Sequence, residues 1–202
     1  MRTRLVFIRH GITEWNKERR YCGNIDVGLS NQGKAQAKKL RDRLKSVKFD
    51  KIYCSSRRRA IQTAKIVFAG EQIIKLSALR EINFGVIEGL RRDQIMKKYA
   101  VVYKKWLDDP YKVRLPGAED MQVFRKRVGG AIKKILYSNR GKTIAVVCHG
   151  GAIGIFVSNI LKSRNFWRYV PAAASVTVVD FENGKLKLKS FNQTWGRFST
   201  QS

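Results

Sequence analysis

Histidine, cysteine and acidic side chains are all scarce in this chain of 202 residues, and each shortage removes a class of protein. The two histidines, His10 and His149, are isolated and lack the clustered His and Asp ligands of a metal centre, so neither a metal nor a cofactor is expected. The three cysteines, Cys22, Cys54 and Cys148, are odd in number and lack metal-ligand spacing. Two of them end apolar runs, so reduced thiols in a cytoplasm are expected rather than a disulfide framework. No apolar run approaches the roughly 20 residues of a membrane helix. Arg2 and Arg4 interrupt the start of the chain, which shows no secretory signal pattern. Repeats, low-complexity stretches and linkers rich in Pro, Gly or Ser are also absent. One domain over 1–202 is therefore expected.

The acidic shortage is the largest departure from an ordinary composition. Lys and Arg number 42 against 15 Asp and Glu, a formal net charge of +27. Such an imbalance raises nucleic acid as a partner. The cations are scattered, however, through Lys17 to Arg20, Lys38 to Lys48, Arg57 to Arg59, Arg125 to Arg127 and Lys185 to Lys189. No basic tail, zinc-finger spacing or aromatic-rich RNA-binding strand accompanies them. Solvated faces of a basic protein that attracts small anionic substrates are the favoured reading, with nucleic acid held as the alternative. No membrane partner is expected, and oligomeric state is left open.

What is present is an alternation of strands and helices. Hydrophobic residues make up 44% of the chain, enough for a core. Leu5 to Ile8 and Ile144 to Cys148 are nearly continuous apolar runs, as in strands buried on both faces of a parallel sheet. Lys51 to Cys54 reads as a further buried strand, followed by a helix over Arg59 to Phe68, and Ile73 and Ile74 mark a short strand. Ser30 can cap a helix carrying Leu40, Leu44 and Val47 on one face. Ile95, Tyr99, Val102 and Trp106 recur with helical spacing, as do Met121, Phe124, Val128, Ile132 and Ile135. An apolar helix begins near Gly151, and Asn183-Gly184 between Ser175 to Phe181 and Lys185 to Ser190 signals a hairpin. The fold class that follows is a three-layer α/β/α sandwich around a mostly parallel sheet, with helical elaboration at about 91–125.

Both histidines end an apolar run and precede glycine, as His10-Gly11 and His149-Gly150-Gly151. Ligands of parallel sheets bind outside the carboxyl ends of the strands, so the two imidazoles point to one shared site. Arg9 adjoins His10, and Arg59 follows the strand ending at Cys54; if that strand neighbours the first, Arg59 reaches the same edge. Two guanidiniums, two imidazoles and the helix N-terminus after His149 suit a phosphate-sized dianion. Glu81, on a loop near Gly85, is the candidate proton handler, since burial would raise its pKa.

These residues resemble a known family. Arg9-His10-Gly11-Ile12-Thr13-Glu14-Trp15-Asn16 is similar to the signature of the histidine phosphatase superfamily, also called phosphoglycerate mutase-like, and the resemblance runs almost the full length. Asp26 to Gly33, Ser55 to Ala64 with Arg59, the stretch Glu81, Gly85, Glu88 and Gly89, the turn Pro116 to Glu119, and His149-Gly150 follow in the family's order. The resemblance implies that His10 attacks phosphorus and carries a phosphohistidine. It further implies that Arg9, Asn16, Arg59, His149 and Gly150 surround the phosphoryl oxygens while Glu81 exchanges the proton. Three positions depart from the pattern: Arg57 where the family has an apolar residue, Gly28 for a proline, and Ile87 for an aromatic. The chain is similar to the small phosphatases, which implies a phosphomonoesterase acting on a small phosphorylated metabolite, with α-ribazole 5′-phosphate as the leading name. The alternatives are mutase-type transfer and, more distantly, a basic phospholigand-binding module. A cysteine phosphatase fails on spacing, because the residues six positions after the cysteines are Gly28, Ala60 and Gly154 rather than arginine. Specificity is expected from the 91–125 elaboration and a nearby loop that includes Cys22 and Gly23.

Overall fold

The computed structural model describes residues 1–194; the part of the 1–202 domain expectation beyond Thr194 lies outside the described residues. Six strands form one sheet in the order β3-β2-β4-β1-β5-β6. They are β1 (Thr3–Arg9), β2 (Lys51–Ser55), β3 (Ile73–Leu76), β4 (Thr143–Cys148), β5 (Val176–Glu182) and β6 (Lys185–Gln193). β1, β4, β2 and β3 run parallel, whereas β5 and β6 are antiparallel to their neighbours. β2 does not adjoin β1: β4 stands between them, pairing with both. Arg59 nevertheless reaches the shared edge, because β2 and β4 end level.

Among the described residues six α-helices accompany the sheet, besides three short 3-10 turns: α1 (Glu14–Lys17), α2 (Asn31–Leu44), α3 (Arg58–Val67), α4 (Arg92–Asp108), α5 (Met121–Tyr137) and α6 (Gly150–Ile160). Strand residues alternate between the two faces of the sheet. Val6, Ile8, Ile52, Cys54, Ala145 and Val147 pack against Ala37, Leu40 and Leu44 of α2 and Ala60, Ala64 and Val67 of α3. Leu5, Phe7, Ile144 and Val146 face the other way, against Phe124, Val128 and Ile132 of α5 and Ile153 and Phe156 of α6. The result is the three-layer sandwich that the apolar runs predict. α6 is apolar all round because β1 and α5 cover it on several sides.

Local chemistry sets the boundaries. Ser30 caps α2 by accepting from the Gly33 amide at 3.0 Å. Asn183 and Gly184 both have positive φ, 51° and 74°, as a two-residue turn between twisted strands needs. Buried Arg4 on β1 holds Asp180 on β5 through two nitrogens, at 2.7 and 2.8 Å. α4 bends at Tyr99, whose backbone is non-helical (φ −134°, ψ 24°). Its apolar face builds a separate small core from Ile87, Ile95, Tyr103, Trp106, Leu115 and Ala118. α5 already starts at Met121, so the segment over the sheet edge comprises α4 and the turns up to Asp120.

Candidate active site

β1 and β4 end in register, Arg9 opposite Cys148, so His10 and His149 emerge side by side. Their ring centroids lie 5.1 Å apart in an edge-on arrangement, and both rings are buried. His10 Nδ1 lies 2.8 Å from the Gly11 carbonyl, which can only accept. The proton therefore sits on Nδ1 and the lone pair on Nε2. Arg59 Nε, which can only donate, points at that Nε2 from 3.3 Å and requires the same tautomer. Burial, with the charges of Arg59 and Arg9, holds the His10 pKa well below the ordinary histidine value. The imidazole is neutral and aimed.

Arg59 is fully buried one residue into α3. Besides His10 it donates to the carbonyls of Ile25 (3.2 Å), Cys22 (3.3 Å) and Gly23 (2.9 Å). Thr63, one turn on, donates to the Arg59 carbonyl and accepts from the Gly11 amide, tying α3 to the His10 turn. Arg9 donates to the Pro171 carbonyl and keeps a buried Nε without a partner. Its guanidinium lies over Gly150, where a Cβ would come 3.1 Å from Arg9 Cζ. Neither arginine pairs with a carboxylate among the described residues.

His149 precedes the first turn of α6. Its Nε2 is 2.7 Å from Ser55 Oγ at the end of β2, and its Nδ1 is buried without a partner. Burial first, then the charges of Arg59, Arg9 and Arg57 and the neighbouring His10, hold this imidazole neutral as well. Glu81 reaches the α6 N-terminus: Oε2 accepts from the Gly151 amide at 2.8 Å and Oε1 from the Ile82 amide at 3.0 Å. A Cβ at 151 would lie 2.3 Å from Glu81 Oε1, so any side chain there would push the carboxylate off the α6 N-terminus. Burial raises the Glu81 pKa, against the pull of those two amides and of Arg59 and Arg9.

Of the residues read from the sequence, Arg9, His10, Arg59, Glu81, His149 and Gly150 converge. Asn16 sits on the adjoining turn, where its Oδ1 caps α1 by accepting from the Thr13 amide and hydroxyl; only its Nδ2 is left to donate toward a ligand. Cys22 and Gly23 lie on the loop that Arg59 holds, and burial pushes the Cys22 thiol up to about 11, which leaves it unreactive. Gly23 needs its missing side chain, since a Cβ would meet the Ile82 carbonyl at 2.0 Å. Two residues were named in the sequence only as parts of family-like stretches, with no role assigned to them. Ser55 is a polar residue at the carboxyl end of a buried strand, a position that could have flagged it. Glu88 takes the amides of Gly23 (3.4 Å), Asn24 (2.6 Å), Ile25 (3.0 Å) and Phe84 (3.0 Å) on one carboxylate. Three of these partners lie more than sixty positions upstream, beyond any local signal, and only Phe84 is near in sequence.

Neutral imidazoles ringed by unpaired guanidiniums, at the carboxyl edge of a mostly parallel sheet, define a phosphoryl-handling α/β enzyme. Residues 5–194 match the model of the histidine phosphatase superfamily, branch 1, and the chain belongs to that family. It is an enzyme of the histidine phosphatase class. It is 29% identical over 195 residues to phosphoserine phosphatase 1 of Hydrogenobacter thermophilus, covering 95% of this chain and 92% of that one. It is 34% identical to phosphoglycerate mutase-like protein 4 of Arabidopsis thaliana over 74% of this chain and 67% of the other. The crystal structure of a putative α-ribazole-5′-phosphate phosphatase from Escherichia coli superposes with a TM-score of 0.87 at 26% identity, covering 95% and 97% of the two chains.

Proposed function

We propose that the protein hydrolyses small phosphomonoesters through a phosphohistidine on His10 Nε2. The observation that carries this reading is the fixed tautomer of His10, with its lone pair turned into a pocket of unpaired guanidiniums. The entering phosphoryl group displaces the Arg59 Nε–H from the imidazole, so the guanidinium passes from nucleophile to phosphoryl oxygen. Arg9 Nε, His149 Nδ1 and the Asn16 amide take the remaining oxygens. As the N–P bond forms and the P–O bond breaks, Glu81 gives its proton to the leaving oxygen. The Glu81 carboxylate then takes a proton from water, whose oxygen attacks phosphorus and releases phosphate from neutral His10. The substrate is a small phosphorylated metabolite. Relatives named for phosphoserine and for α-ribazole 5′-phosphate support phosphatase chemistry without converging on one leaving group. The two phosphomonoesters these relatives are named for differ in kind, α-ribazole 5′-phosphate carrying no carboxylate and phosphoserine carrying one, and both stand as named candidates; the unpaired buried thiols of Cys54 and Cys148 fit action in a reducing cytoplasm.

The test is hydrolysis of p-nitrophenyl phosphate in EDTA, wild type against His10→Ala, with a base-stable, acid-labile phosphoenzyme trapped by rapid quench. Turnover in EDTA that vanishes with His10, together with the trapped intermediate, is the expected result. Activity retained by the variant would overturn the mechanism. Phosphoglycerate mutase turnover exceeding hydrolysis would transfer the assignment to the mutase reading, which the plant relative represents.

A further inference from the structure

A third arginine stands at this pocket without a place in the phosphohistidine cycle. Arg57 occupies the N-cap of α3, yet its side chain makes no capping bond. The position needs no arginine for the fold, and the family resemblance places an apolar residue there. Its backbone amide donates to Ser55 Oγ at 3.3 Å, and the same hydroxyl meets His149 Nε2 at 2.7 Å. Its guanidinium crosses to Asn24 Oδ1 on the 23–25 loop. Its Nε is buried and unpartnered, and no carboxylate pairs with it among the described residues. The 23–25 loop it reaches is the one whose carbonyls Arg59 holds beside His10, so Arg57 borders the same pocket, and its charge is one of those felt by His149.

Charge counting isolates what this residue is for. A bound phosphoryl group brings about two negative charges, and Arg9 and Arg59 already supply two unpaired cations. Arg57 adds a third, together with a buried N–H that has no protein acceptor. Such groups are rarely left unpaired in a native structure, where a ligand or water completes them. A guanidinium edge presents parallel N–H donors that match the two oxygens of a carboxylate. We propose that Arg57 forms a second anion subsite, so that the preferred substrates are phosphomonoesters bearing a carboxylate on the leaving group. The proposal rests on the phosphatase reading and names its substrate class.

Two matched pairs isolate the carboxylate: 3-phosphoglycerate against glycerol 3-phosphate, and O-phosphoserine against O-phosphoethanolamine. Wild type is expected to favour the carboxylate-bearing member of each pair by about 10- to 100-fold in kcat/KM, chiefly through KM. Arg57→Gln collapses that ratio toward one, and Arg57→Lys retains part of it. Asn24→Ala removes the loop contact but keeps the charge, and preserves the ratio. A ratio unchanged in Arg57→Gln, or erased equally by Asn24→Ala, would overturn the subsite. A preference for bisphosphates over both carboxylates would overturn it in favour of a second phosphate. Turnover of p-nitrophenyl phosphate separates the two readings: if wild type lacks it, hydrolysis itself fails, and if it persists without a pair preference, only the role of Arg57 fails.

Discussion

His10 and His149 are the chain's entire histidine content, and both are buried with pKa values held below the ordinary 6.5. Unfolding restores that ordinary value, so between 6.5 and the depressed folded values the unfolded state binds more protons and stability falls as pH falls. Each histidine contributes a slope of up to about 1.4 kcal/mol per pH unit in that window. Glu81, whose folded pKa is raised, acts in the opposite direction. Its contribution is full below its unfolded value and is lost as pH rises through the folded one. Denaturant melts between pH 7 and 5 should therefore show declining stability, flattened in a His10→Ala, His149→Ala double variant. An equal slope in that variant would place the proton uptake elsewhere. The same raised pKa makes Glu81 a usable acid, with activity lost as pH rises past it. Glu81→Gln should cost about 10²- to 10⁴-fold on alkyl phosphates. On p-nitrophenyl phosphate, whose leaving group departs unprotonated, it should cost far less. Equal losses on both substrates would give Glu81 a positioning role only.

The element with the least regular structure does most to shape the pocket. The 22–26 loop has no helix or strand of its own and is held from two sides, its carbonyls by Arg59 and its amides by Glu88. Glu88→Ala should raise KM several-fold and accelerate amide hydrogen exchange at Asn24 and Ile25, leaving the core strands protected. Unchanged exchange there would show that the contacts from Arg57, Arg58 and Arg59 hold the loop without Glu88. This division also explains what sequence could reveal. β1 and β4 are legible because burial on both faces leaves a continuous apolar run, and α2 because Ser30 and its apolar stripe are local signals. The hairpin is legible because Asn183-Gly184 tolerates two positive φ values. His10, Arg9 and His149 adjoin such elements and were legible with them. The order of β2 and β4 was not, since either could lie beside β1 with the same apolar face. Nor was the role of Glu88 in holding the 23–25 loop, because that loop lies more than sixty positions away. The bend at Tyr99 interrupts a helix whose apolar spacing reads as unbroken.

Across the whole molecule the charge of +27 acts with two opposite signs. Lys34, Lys38 and Arg41 on α2, and Lys45 and Lys48 just past it, are exposed, so their mutual repulsion raises the energy of the compact state. Added salt screens that repulsion, with a Debye length falling from about 30 Å at 0.01 M to about 3 Å at 1 M. The melting temperature should therefore rise with sodium chloride. The same field draws a phosphomonoester dianion toward the pocket, where Arg9, Arg57 and Arg59 lack carboxylate partners among the described residues. Screening weakens that attraction, so kcat/KM should fall over the same range while kcat, set by the groups already in contact with bound substrate, stays nearly constant. One salt titration, followed by melting and by initial rates, reads both effects. If melting temperature rose while kcat/KM stayed constant, the surface charge would be repulsive within the fold but irrelevant to capture. Substrate encounter would then depend on the pocket arginines alone.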